Sequence, residues 1–428
     1  MRYLYSTLFY LAIPLVLLRV LWRSRKMPDY RRRIAERFGF SPHRLKGTIW
    51  IHAVSVGETL AAIPLIKALK KAYPQTPILV TNMTPTGAAR VKAAFADSVF
   101  QAYIPYDLPD AVNRFLSRIQ PKVAVILETE IWPNLFAACK QRGIPLVITN
   151  ARLSEKSAKG YQRIAALTRE MLSAVSILAS QGKADAERFI ALGLSAGKIA
   201  VTGNLKYDLE IPEDLAAKGE ALRQQLGKDR PIWVAASTHG GEEEIILAAH
   251  KLVREKNPDA LLILVPRHPD RFDQVAALIG QQGFRFIRRS AGSPCTAEVQ
   301  VYLGDTMGEM LSMFSAVDVA FVAGSFAQVG GHNVLEPAAL NKPVISGPVL
   351  FNFTEISQKL REAKGLIIVN NAEELASSVN QFFADPAYRK QIGDNARRVV
   401  EDNRGALQKQ LQCIQRVLNE NNISITTD

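Results

Sequence analysis

The sequence is poor in the residues that build covalent frameworks and metal centres. Its three cysteines, Cys139, Cys295 and Cys413, are far apart and odd in number, which fits neither a disulfide framework nor a zinc-ligand spacing and suits a reducing compartment. The six histidines form no HExxH, the cysteines no CxxC, and no Asp-x-Asp is present to hold a divalent ion against a diphosphate. Neither a bound metal nor a cofactor is expected. Low-complexity tracts and long-period repeats are also missing, so disorder is expected only in the polar stretch Asn421 to Asp428.

What is present is the composition of an ordinary globular protein: 428 residues, 48% apolar and 22% charged. That length exceeds what one core usually organises, so two domains with an appendage are expected. The appendage is visible at the start. Tyr3 to Leu18 is an apolar run, interrupted by Pro14 and extended past Arg19 by Val20, Leu21 and Trp22, about 20 residues and near the minimum for a membrane span. Only Arg2 precedes it, while Arg23, Arg25 and Lys26 follow, the reverse of a cleaved signal peptide. Residues 1–26 are therefore expected to be a retained anchor, spanning or deeply inserted, with an ordinary buried helix as the alternative. The basic flank behind it places the bulk of the chain on the cytoplasmic side.

The net charge of +13 is concentrated: ten Arg and Lys residues fall between Arg19 and Lys46, against Asp29 and Glu36. Such a collar beside an apolar anchor suits an anionic membrane surface. Nucleic acid is not an expected partner, because the rest of the chain is only mildly basic and lacks interleaved aromatics.

From Thr48 onward, short β-branched runs alternate with amphipathic stretches, which predicts parallel sheets with helical crossovers. Seven such runs lie between Thr48 and Thr202 and seven more between Ile232 and Val369. Proline and turn formers in the stretch 203–216 mark a linker. The reading is α/β, two Rossmann-like lobes over 27–210 and 211–428, and sheets of this kind bind ligands beyond the carboxyl ends of their strands.

Several strand ends carry chemistry. His52-Ala53-Val54-Ser55-Val56-Gly57-Glu58 runs from an apolar strand through small residues into a helix, placing Glu58 in the first turn as a base or simply as a cap. The helix terminus lowers its pKa, so burial must offset that if Glu58 is to accept a proton. A second strand ends in Leu127-Glu128-Thr129-Glu130-Ile131-Trp132-Pro133-Asn134. Alternation predicts Glu128 and Glu130 on one side of an extended chain, although one of them could cap the helix starting near Pro133.

Thr202-Gly203-Asn204-Leu205-Lys206-Tyr207-Asp208 presents Lys206, a cation for developing negative charge or merely a solvated loop lysine. The second half offers Val265-Pro266-Arg267, Thr306-Met307-Gly308-Glu309, and Gly330-Gly331-His332-Asn333-Val334-Leu335-Glu336-Pro337. Arg267 suits a phosphate, and the glycines before a helix near Asn333 suit an anion. Glu336, expected one turn into that helix, suits ribose hydroxyls.

Taken together, HAVSVGE, LETEIWPN, GNLKYD, VPRHP, DTMGE and GGHNVLEPA resemble the bacterial 3-deoxy-D-manno-octulosonic acid (Kdo) transferases over nearly the whole chain. The resemblance implies an inverting, metal-independent glycosyltransferase of GT-B architecture at the cytoplasmic face of the inner membrane. It would move Kdo from CMP-Kdo onto the glucosamine disaccharide of the lipid A precursor, lipid IVA, in lipopolysaccharide biosynthesis. It puts the general base on Glu58 and transition-state stabilisation on Glu128 and Lys206. CMP contacts fall on Pro266, Arg267, Met307, Gly308, Glu309, Asn333, Val334, Leu335 and Glu336. It also assigns acceptor binding to 27–210 and donor binding to 211–428. Asn341 stands where many relatives of the wider fold have glycine.

Overall fold

The computed structural model describes residues 1–25 and 27–420; Lys26 of the basic collar and the polar tail Asn421 to Asp428 lie outside the described residues. The chain forms two compact units, one comprising Met1–Asp208 and the segment that begins at Arg404, the other Leu209–Asn403.

The first unit is built on seven parallel strands: β1 (Thr48–His52), β2 (Ile78–Asn82), β3 (Phe100–Tyr103), β4 (Pro121–Leu127), β5 (Leu146–Ala151), β6 (Val175–Ser180) and β7 (Ile199–Val201). They lie in the order β3-β2-β1-β4-β5-β6-β7. β1 is buried at every position because helices cover both faces of the sheet. Successive side chains supply two cores: Trp50 packs with Phe115 and Phe136 on one face, while Ile49 and Ile51 pack with Leu65 and Ile66 on the other. The strand order reverses between β1 and β4, which makes that junction the sheet's topological switch point.

The last helix, Ala406–Glu420, completes the second of these cores. Leu411, Ile414, Val417 and Leu418 pack against the same group as Ile49 and Leu65. Asp208 accepts hydrogen bonds from the Gly405 and Leu407 amides at 2.7 and 2.6 Å, holding the helix start. This corrects the expected division at 210/211, which gave the whole C-terminal stretch to the second domain. The helix carries an apolar stripe, and the first sheet has the face it covers.

The apolar N-terminal segment is one helix, Arg2–Ser24, long and apolar enough to cross a membrane by length and composition alone. It is not isolated, since Phe9, Ile13 and Val16 pack on a cluster of Tyr106, Leu108 and Ala111. The basic collar behind it is smaller than its residue count suggests. Arg33 is paired with Glu36 through its Nη2 at 2.8 Å; Arg37 is buried over the Tyr103 ring and donates to the Met83 carbonyl. These two arginines are bound up in local structure rather than offered to a surface.

The second unit repeats the plan. Its strands are β8 (Ile232–Thr238), β9 (Leu261–Pro266), β10 (Phe286–Arg288), β11 (Val301–Leu303), β12 (Val319–Val322), β13 (Val344–Ser346) and β14 (Leu366–Ile368). All run parallel in the order β10-β11-β9-β8-β12-β13-β14, with the reversal between β8 and β12. Asn341 has φ +61°, a left-handed backbone that glycine and asparagine adopt at least cost.

Candidate active site

In the first unit Glu58, Glu128 and Glu130 gather where the strand order reverses. β1 ends at His52, and the helix Val56–Ala72 starts behind a Ser55 cap. Glu58 closes a reciprocal capping box: its amide donates to Ser55 Oγ at 3.2 Å, and its Oε1 accepts from Ser55 Oγ at 2.7 Å and Ser55 N at 3.2 Å. Its Oε2 accepts from Val54 N at 2.8 Å, which leaves that oxygen a second lone pair.

The capping alternative is thus real, yet it does not exhaust the residue. Burial, with Glu58 only 7% exposed, outweighs the hydrogen bonds and raises its pKa above the ordinary glutamate value; the charge of Glu128 adds to the rise. A cap that served stability alone would gain nothing from being desolvated.

β4 ends at Leu127, one residue before the carboxylates, and this corrects the alternation argument. Glu128 sits at φ +56°, so the chain turns there and Glu130 belongs to the following loop. A glutamate in the left-handed region costs energy that functional sites commonly store. The Glu128 carboxylate accepts from Arg152 Nε at 3.1 Å.

Glu130 accepts from Trp132 Nε1 at 3.0 Å, and Trp132 lies edge-on to the buried His52 ring at 5.3 Å. Burial first, then the charge of Glu58, pushes the Glu130 pKa up to about 7. Position in the sequence did not single out Trp132 or His52, although both belong to the two motifs that carry the resemblance.

Glu130 makes stability depend on pH. Its folded pKa lies above the unfolded value of about 4.3, so the folded state holds the proton more tightly. That contribution is complete at pH 4 and is lost as pH rises through about 7. Glu130→Gln is therefore expected to be more stable than the parent at pH 8, by roughly 3 to 4 kcal/mol, and indistinguishable near pH 4. Denaturant midpoints at the two pH values check this.

Lys206 lies in the turn Leu205–Tyr207, which packs near the helix Val56–Ala72. Other residues fix that turn. Asn204 Oδ1 accepts from Lys206 N at 3.0 Å, Asn204 Nδ2 donates to Gln181 at 3.0 Å, and Leu205 N donates to Asn150 Oδ1 at 3.0 Å. The motif's asparagine and aspartate are thereby spent on holding the backbone, and Lys206 is the residue they position.

In the second unit the expected segments follow β9, β11 and β12. Pro266 ends β9, and Arg267 is close enough to Glu336, His239 and His332 to shift their proton affinities. Glu309 is gripped by Arg289 at 2.7 and 3.1 Å, which lowers its pKa, while Met307 is exposed and Gly308 has φ +86°. Asn333 Nδ2 donates to Glu336 Oε1 at 3.0 Å. Burial raises the Glu336 pKa, opposed by that bond and by Arg267. Val334 and Leu335 are fully buried.

The helix expected near Asn333 is shorter and later, Leu335–Ala339, so Glu336 is its second residue and the five-residue helix contributes little dipole.

Sequence reasoning missed the loop after β8, which lies between the β9 and β12 loops it did select. His239 and His332 stack with Nε2 atoms 2.8 Å apart. Burial drives the His332 pKa down to about 3 and lowers that of His239, so at neutral pH the two rings share one neutral hydrogen bond. Gly324 has φ +73°, and a Cβ there would fall 2.7 Å from the His332 ring.

Glu242, 1% exposed, ties this loop to the next: its carboxylate accepts from the amides of His239, Gly324, Ser325 and Phe326 at 2.8 to 3.0 Å. Strand, paired glycines, then a helix-opening glutamate in Thr238-His239-Gly240-Gly241-Glu242 was the available signal. Glu242→Ala orphans four amide donors, two of them in fully buried bonds, and is expected to destabilise the protein by about 3 kcal/mol, read as a lowered urea midpoint.

Two doubly wound parallel domains with charged and glycine-bearing loops at their strand ends are the frame of a nucleotide-sugar glycosyltransferase, and comparison with known proteins agrees. Residues 229–399 match the family "Glycosyl transferases group 1" and residues 32–209 the family "3-Deoxy-D-manno-octulosonic-acid transferase (kdotransferase)". A crystal structure of a glycosyltransferase from Rickettsia africae shares the fold, with TM-score 0.55 and 17% identity over 87% of this chain and 99% of that one.

The chain is 45% identical to 3-deoxy-D-manno-octulosonic acid transferase from Haemophilus influenzae over 98% of its own length and 99% of that protein's. It is 36% identical to the enzyme of the same name from Bordetella pertussis, over 88% of each. The protein is a glycosyltransferase and belongs to the 3-deoxy-D-manno-octulosonic acid transferase family.

Proposed function

We propose that the chain transfers Kdo from CMP-Kdo to the glucosamine disaccharide of the lipid A precursor, lipid IVA, in lipopolysaccharide biosynthesis. The transfer is a single inverting displacement that needs no metal. The observation that carries this reading is Glu58, a buried carboxylate of raised proton affinity at the switch point of the first sheet.

Glu58 takes the proton from a glucosamine hydroxyl as its oxygen attacks the anomeric carbon of Kdo, opposite the CMP group. The bond from that carbon to the phosphate oxygen breaks, and CMP leaves with the electron pair through an oxocarbenium-like state. Glu128 stabilises the positive charge that develops on the sugar, and Lys206 faces the negative charge of the departing phosphate or the Kdo carboxylate. In the second unit Pro266, Arg267, Met307, Gly308, Glu309 and Asn333–Glu336 bind CMP, with Arg267 on the phosphate and Glu336 on the ribose.

CMP departs as a monophosphate ester with less charge than a nucleoside diphosphate. Cationic side chains and backbone amides suffice for it, in keeping with a sequence that has no Asp-x-Asp. On this reading 27–210 binds the acceptor and the second unit binds the donor. The apolar helix holds the chain at the cytoplasmic face of the inner membrane.

Incubation with lipid IVA in excess EDTA tests the donor and the metal together: CMP is released from CMP-Kdo at an undiminished rate, and UDP is not released from UDP-sugars. UDP release, or a rate that collapses with EDTA, overturns the reading.

A further inference from the structure

The N-terminal helix docks on the first unit through its residues up to Val16 and, at its end, meets the turn Pro28–Tyr30. Ser6, Phe9, Ile13, Val16, Val20 and Ser24 are each buried or half-buried, at the spacing of one helical face, and the first four of them meet the unit's other residues. Its contacts there are polar as well as apolar. Arg2 pairs with Glu170 at 3.5 Å, Ser6 Oγ donates to Asn134 Oδ1 at 3.1 Å, and Tyr10 Oη donates to Asp110 Oδ1 at 2.5 Å. Asp110 in turn accepts from Arg114 at 2.9 Å.

The opposite face repeats Leu4, Leu8, Leu11, Leu15, Leu18 and Trp22, all exposed. Beside its C-terminal end stand the exposed Arg19, Arg23, Arg25 and Arg31.

A helix of 23 residues is about 35 Å long, enough to cross a hydrocarbon core of about 30 Å, so length does not decide its orientation. Docking does. Were the docked helix to span, Asp110, Arg114 and Glu170 would be drawn to bilayer depth, where charges are costly. Were it to undock, these partners would be lost and the apolar cluster of Tyr106, Leu108 and Ala111 exposed.

We infer that the helix stays on the first unit and lies in the plane of an anionic leaflet, its leucine face among the upper acyl chains and the neighbouring arginines at the headgroups. It inserts without spanning. The arrangement is that of an interfacial amphipathic helix. The inference deepens the membrane assignment above and depends on it.

The test uses the full chain with Cys295→Ser and one exposed position at a time changed, Leu4→Cys, Leu11→Cys or Leu18→Cys, each labelled with an environment-sensitive fluorophore. Vesicles of phosphatidylethanolamine and phosphatidylglycerol carry nitroxides either shallow or deep in their acyl chains. The in-plane helix gives the same quenching ratio at all three positions, with the shallow nitroxide the stronger quencher. Deep quenching at position 11 with shallow quenching at 4 and 18 overturns the inference and leaves membrane attachment standing. No quenching at any position overturns both.

Discussion

Glu58→Gln is expected to lower kcat for Kdo transfer by roughly two to four orders of magnitude while leaving CMP affinity essentially unchanged. The amide keeps the size of the side chain and can accept from Val54 N or from Ser55, but it cannot take a proton. Its cost to the capping box is about 1 kcal/mol, too little to unfold the domain.

Ser55→Ala separates the two roles of Glu58. It removes a hydrogen bond that favours the carboxylate, so the acid limb of the rate profile moves to higher pH while turnover persists above it. A helix cap without catalytic duty predicts a stability loss for both variants and no displacement of the pH profile.

Lys206→Ala is expected to lower kcat by roughly two to three orders of magnitude with a small change in KM. The turn that carries it is held by Asn204 and Asn150, so the backbone remains in place when the side chain is truncated. Asp208→Ala is the structural counterpart: it loses the amides of Gly405 and Leu407 and loosens the last helix. Its denaturant midpoint falls further than that of Lys206→Ala, and its kcat falls less. Equal losses of stability and activity in the two variants would remove Lys206 from the chemistry.

Much of the architecture was legible because parallel strands buried on both faces read as short β-branched runs, and the fourteen runs in the sequence correspond to β1 through β14. The destination of the last helix was not legible. Its stripe of Leu411, Ile414 and Leu418 says that it packs, and only the uncovered face of the first sheet says where.

The site divided in the same way. Glu58 follows from strand, small residues and helix, and its place in the first turn is the one observed. Glu130 does not, because the left-handed backbone at Glu128 ends the alternation and its raised proton affinity comes from burial and from Glu58, a residue 72 positions away. Glu242 was invisible for a related reason: its partners are backbone amides some eighty residues downstream, and backbone leaves no trace in sequence.

The sharpest single test of a direct displacement assisted by Glu58 is the anomeric configuration of the Kdo newly attached to the lipid acceptor, read by NMR against that of the CMP-Kdo consumed. Inversion is the predicted result. Retention, or an acceptor that comes back without Kdo, would contradict it.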